Sequence, residues 1–278
     1  MNASLKRLRR IACLWHLTSL DAPTVTVVWT LAFAWAAQVH LPPWLPAALA
    51  LAAWSVYIGD RLLDARNART PLRERHHFHW RHRRVFAPIA LVSGGAAAGV
   101  FLYFMPLAAR GRNSVLAAAA LLYFSSVHSP WQTSLQRFRF RVPKELLVGI
   151  LFTLACATPT WARSLAPERL ELLAPIVAFI ALAWLNCAAI EEWESGVTST
   201  RSSRIFPLGV SLAAACVVVA WIPVTLGYPL QAALLVAAAV SAALLAWLDG
   251  RRHSMSRVEL RATADLVLLT PLMLLVFS

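Results

Sequence analysis

The chain has 278 residues, of which 59% are apolar and only 14% charged, and its mean hydropathy is +0.61. Soluble domains carry about 25% charged residues, so a soluble globular class is excluded and most of the chain is expected in lipid. The net charge of +13 invites a nucleic-acid reading, which the placement of the charges excludes.

Apolar runs of bilayer-spanning length recur from end to end. They predict an all-α integral membrane protein, one domain over residues 1–278, with nine transmembrane helices at about 22–39, 44–63, 86–105, 114–130, 145–161, 170–193, 206–224, 229–248 and 262–277. Leu41-Pro-Pro, Pro106, Pro143, Pro167 and Gly227-Tyr-Pro229 mark the turns between them. The first helix is read as retained rather than cleaved, because the basic residues Lys6 to Arg10 lie far from the small residues near Ala37. Cys13, Cys156, Cys187 and Cys216 are widely spaced and make neither a zinc pattern nor a disulfide framework.

The second helix ends in Trp54-Ser-Val-Tyr57-Ile-Gly-Asp60-Arg61-Leu-Leu-Asp64. The i, i+4 spacing puts both carboxylates on one face, where they repel, and carboxylates at membrane depth are costly. A positive group belongs between them: a divalent cation carrying a diphosphate, or Arg61 or another nearby arginine. The loop that follows holds His76, His77, His79 and His82 among Arg75, Arg81, Arg83 and Arg84. That crowd of cations disfavours zinc and favours an interfacial cap, with Phe78 and Trp80 dipping into the membrane. His128 reads as a satisfied interfacial histidine, and Glu145 as a residue that caps the start of the fifth helix.

The sixth helix also ends in acids, Glu191-Glu192-Trp193-Glu194, an echo of the second helix four helices earlier. Such repeats place a site at their interface, and magnesium is usually held by one or two carboxylates plus substrate phosphates. Asp21, just before the first helix, falls near the same face. Asp265 opens the ninth helix, where a salt bridge with Arg257 or Arg261 is expected.

With a cytoplasmic amino terminus, the inner segments hold 22 of the 26 Lys and Arg residues and the outer ones only Arg110, Arg112, Arg163 and Arg169. This is the positive-inside distribution. The basic charge is therefore topology and contact with anionic lipid, and the acids lie on the cytoplasmic side of a cell (inner) membrane protein.

These segments resemble the UbiA superfamily of intramembrane prenyltransferases over nearly the whole chain. The family's first motif is Asn-Asp-x-x-Asp-x-x-x-Asp; here Asp60 and Asp64 match and Val56 and Tyr57 replace Asn-Asp. Anchoring the second motif, Asp-x-x-x-Asp, on Gly196-Val-Thr-Ser199-Thr200 puts Ala188 and Glu192 at its acids, with Glu191 and Glu194 beside them. Leu20-Asp21-Ala-Pro23 resembles the family's entry to helix 1, with Ser19 at the place of a usual arginine. Pro143-Lys144-Glu-Leu-Leu-Val-Gly149 resembles the start of helix 5.

The resemblance implies transfer of an isoprenyl group from an isoprenoid diphosphate to an aromatic or other lipophilic acceptor. It implies Mg²⁺ held by Asp60, Asp64, Glu191 and Glu192, with Asp60, Asp64 and Glu192 central to catalysis. Arg61, Lys144 and Arg204 would contact the diphosphate, and Trp54, Tyr57, Tyr123 and Trp193 are candidates to line the allylic cation. Two alternatives keep the fold: a terpene cyclase using the same ionisation, and a non-catalytic lipid- or partner-binding protein, which Val56, Tyr57 and Ala188 favour. Transport expects acids at mid-membrane within broken helices, whereas these lie toward one face.

Overall fold

In the computed structural model the described residues are 3–67, 73–107, 110, 111, 114, 118, 143–194 and 203–276, and every regular element among them is helical. They form α1 (Ala3–Leu17), α2 (Asp21–Ala36), α3 (Trp44–Asn67), α4 (Glu74–Arg81), α5 (Arg83–Phe104), α6 (Lys144–Trp161), α7 (Ala166–Glu194), α8 (Ile205–Thr225), α9 (Pro229–Arg251), α10 (Arg257–Val267) and α11 (Pro271–Val276). Among the described residues, four helices, α5, α7, α8 and α9, are long and apolar enough to cross a membrane. The pair α1–α2, bent by 89°, makes a fifth if it is one broken span.

Seven of the nine expected spans each correspond to a single helix, of which α5, α7, α8 and α9 are the candidate spans; the expected helix at 114–130 lies almost wholly outside the described residues. The last expected span, 262–277, is broken. Pro271 has no N–H to continue a helix, and α10 ends at Val267, four residues before it. The carbonyls freed at the break find donors elsewhere: Ser241 Oγ donates to Val267 O at 2.8 Å and Trp29 Nε1 to Leu268 O at 2.9 Å. In an apolar environment such satisfaction is what makes a break tolerable.

The centre of the bundle is α2, α7 and α9. Trp29 of α2 stacks on Phe179 of α7 with ring centroids 3.7 Å apart, and Phe33, Leu182, Leu185 and Leu245 complete this core. Gly209 allows α8 to close on α9: a Cβ there would meet Ala242 O and Ala246 Cβ at 2.9 Å. Gly149 does the same for α6 against α7, with Trp184 N 3.0 Å away. The outer helices α5 and α8 expose Leu91, Val92, Val217, Val218 and Trp221, surfaces suited to hydrocarbon rather than water. α1 packs along α10 and turns into α2 at Ser19, whose backbone is left-handed (φ 59°).

Candidate functional site

At one end of the bundle α4 bridges the C-terminal ends of α3 and α7: His76 approaches Asp64 at 3.6 Å, and Arg75 bonds Glu194 at 3.0 Å. The acids of α3 divide by face. Asp60 and Asp64 are half-buried, and the Asp64 side chain keeps 42% of its exposure. Arg61, 100° further round the helix, is 2% exposed. Its Nη1 donates to His16 O at 2.9 Å and to Ser19 Oγ at 2.6 Å, and its Nη2 to Asp21 Oδ2 at 3.3 Å. The guanidinium therefore does not lie between Asp60 and Asp64, and it is not directed at a diphosphate as expected. It is turned inward because Asp21, buried at the start of α2, requires a counter-charge.

Asp21 is the hub of a buried polar knot. His16 Nδ1 lies 2.6 Å from Asp21 Oδ2 and 3.2 Å from Asp265 Oδ2, and Asn186 Nδ2 donates to Asp265 Oδ1 at 3.2 Å. This corrects the expected partners of Asp265. Arg261, a turn nearer the end of the bundle, reaches Glu194 at 2.7 Å instead, while Asp265 faces α1 and α7. Among the described residues, His16, Asp21 and Asp265 are the group of three metal-binding side chains whose ligand atoms lie within 4.8 Å of one another. With Arg61 already on Asp21, that group is a satisfied ion-pair network, and a further cation would meet a guanidinium. The histidine and the asparagine were not anticipated. The readable signals were an imidazole five residues before Asp21 and a lone amide inside the apolar run of α7.

α4 packs on the end of α3 and reaches the end of α7 through Arg75. His79 is buried, its Nε2 3.1 Å from Ser19 Oγ and its Nδ1 on Arg75 O at 2.9 Å. Burial first, opposed by the Arg75 carbonyl and reinforced by the Arg61 charge, pushes its pKa down to about 4. Burial and then Arg75 push His76 down to about 3. Arg75 Nε donates to His76 Nε2 at 3.0 Å, so that nitrogen carries no proton, and its 3.6 Å approach to Asp64 is not an ion pair.

On α7, Glu194 accepts from Arg73, Arg75 and Arg261, and Glu191 lies 3.4 Å from Arg73. Glu192 is exposed. Trp193 Nε1 donates to Asp249 at 2.9 Å and Trp54 Nε1 to Thr18 O at 3.0 Å, so both indoles are anchored by their polar edges. Tyr57 is half-buried on α3, one turn before Arg61. Lys144, the first residue of α6, is exposed and pairs with Glu145 at 3.7 Å. Arg204 is exposed at the N-cap of α8. Tyr123, His128 and the Gly196–Thr200 segment lie outside the described residues.

The structure thus brings Asp60, Asp64, Glu191 and Glu194 to one end under one cap. Comparison with protein-family models, characterised proteins and solved structures gives no match in any of the three.

Proposed function

We propose that the chain is a multi-pass intramembrane prenyltransferase of UbiA type, with its acidic end at the cytoplasmic face of the inner membrane. It would take an isoprenoid diphosphate and pass the prenyl group to a lipophilic acceptor. The observation that carries this reading is the convergence of two acid-bearing helix ends beneath a basic cap, at the end of an apolar bundle. Asp60 and Asp64 offer oxygen-only ligands of the type Mg²⁺ takes, and their half-buried position suits that ion. Glu192, exposed at the facing end, is the third candidate ligand. Glu191 shares the charge of Arg73, which lowers its value as a ligand. Bound at Asp60 and Asp64, magnesium would supply positive charge to a diphosphate leaving group.

The chain's own residues account for the rest. Arg73 and Arg75, rather than Arg61, stand over the acids and add cationic charge on the cap side. α4 screens the end of the bundle from water through buried His79. Trp54 and Tyr57, about two turns and one turn before Asp60 on α3, would supply aromatic surface to a developing allylic cation.

A second reading, a non-catalytic lipid-binding descendant, draws on a specific observation: Arg73, Arg75 and Arg261 already neutralise Glu194 without any metal. Binding of farnesyl diphosphate to purified protein, with and without Mg²⁺, separates the two. The catalytic reading expects magnesium-dependent binding that Asp60→Asn and Asp64→Asn each weaken at least tenfold. Binding indifferent to magnesium and to both substitutions would leave the lipid-binding reading standing.

A further inference from the structure

A cavity of about 240 Å³ opens between α4, the end of α7 and the start of α10, and it involves neither Asp60 nor Asp64. Its charged lining is Arg73, Arg75, Arg257 and Arg261 with Glu74 and Glu194, and His16 borders it. Four guanidinium groups against two carboxylates leave positive charge over, even after Glu191 takes a share of Arg73. The unspent capacity is on α10. Arg257 is exposed and makes no ion pair or hydrogen bond among the described residues, and Arg261 Nε is buried with no acceptor. A buried N–H without a partner is uncommon in native structures and calls for an explanation.

We propose that this cavity binds a phosphate group, held by Arg257 and Arg261 and faced by Arg73 and Arg75. Arginine forks match phosphate oxygens bidentately, and here forks from two separate helices converge on one small space. The cavity also lies next to α1, which packs along α10 and exposes Leu8, Ile11 and Leu14 beside Arg7, Arg9 and Arg10. A basic amphipathic helix of this kind rests at headgroup depth. The phosphate therefore comes from the headgroup of an anionic membrane lipid or from a soluble phosphate. This site goes beyond the magnesium-dependent one, since its lining needs no metal.

The test uses the full chain, purified in neutral detergent with EDTA present. Retention of phosphatidate against phosphatidylcholine is read by native mass spectrometry, and inorganic phosphate is titrated against the unfolding midpoint. Wild type is expected to retain phosphatidate or to be stabilised by phosphate; the first outcome assigns the lipid source and the second the soluble one. Arg257→Gln, which breaks no bond among the described residues, is expected to weaken the observed binding about tenfold. Arg204→Gln, at an exposed arginine elsewhere, and Asp64→Asn are expected to leave it unchanged. No binding by folded wild type, equal binding by Arg257→Gln, or equal loss in Arg204→Gln would each overturn the proposal. Loss of farnesyl diphosphate binding alone would count only against the prenyltransferase reading.

Discussion

Two charged clusters share α3 and differ in kind. Around Arg61, the charged groups pair inside the protein: the guanidinium meets Asp21, Ser19 and the His16 carbonyl, and His16 links Asp21 to Asp265. Around Asp60 and Asp64, less than one turn away, the carboxylates stay half-exposed beneath a cap whose His76 is held neutral. A charge-bearing motif in one helix is thus split between a structural half and an accessible half. Buried pairs are costly to break from one side, while interactions of half-exposed acids are weakened by water and cost less to remove. The two halves should respond to mutation in opposite ways, and that contrast can be broken or sharpened by experiment.

The largest effect is expected from Arg61→Ala. It strands the Asp21 carboxylate in the knot and should cost about 3–5 kcal/mol of stability, read as a lowered unfolding midpoint in detergent. A midpoint near wild type would show that the knot does not hold the α1–α2 corner. Glu194→Gln comes next. The carboxylate meets Arg73, Arg75 and Arg261, and its loss should cost about 1–3 kcal/mol, with proteolysis of the α4 cap as a second readout.

A smaller effect is expected from pH. The pKa of His79 is held at about 4 against an ordinary 6.5, so the folded cap binds fewer protons than the unfolded chain. Its contribution is complete above pH 6.5 and is lost as pH falls from there toward 4. Stability measured from pH 7.5 to 4.5 should decline through this window, and His79→Gln should flatten that part of the decline. An unchanged slope would remove His79 from the account.

The positions of the helices were legible because apolar runs of twenty residues leave few alternatives. The break before Pro271 was not, since proline within an apolar run reads equally well as a kink inside one span. The donors Ser241 and Trp29, distant in sequence, reveal that the helix stops there. At the site, the gathering of the α3 and α7 acids was readable from positive-inside topology, which sets both helix ends on the same side. The direction of Arg61 was not. Neighbours on a helix point 100° apart, and nothing in Asp60-Arg61 tells which faces inward until Asp21 and His16 are seen packed against it. Asp265 was misassigned for a related reason: Arg257 and Arg261 are close in sequence, but their long side chains reach past it toward Glu194 and the cavity.

The smallest structural effect and the decisive functional one fall on the same variant. In Asp60→Asn/Asp64→Asn, unfolding midpoint and magnesium-dependent farnesyl diphosphate binding can be measured on one preparation. The account predicts a stability change of about 1 kcal/mol or less per site, well below that of Arg61→Ala, together with loss of magnesium-dependent binding. Retained binding, or a collapse of stability comparable to Arg61→Ala, would contradict the division of α3 into a structural half and an accessible one.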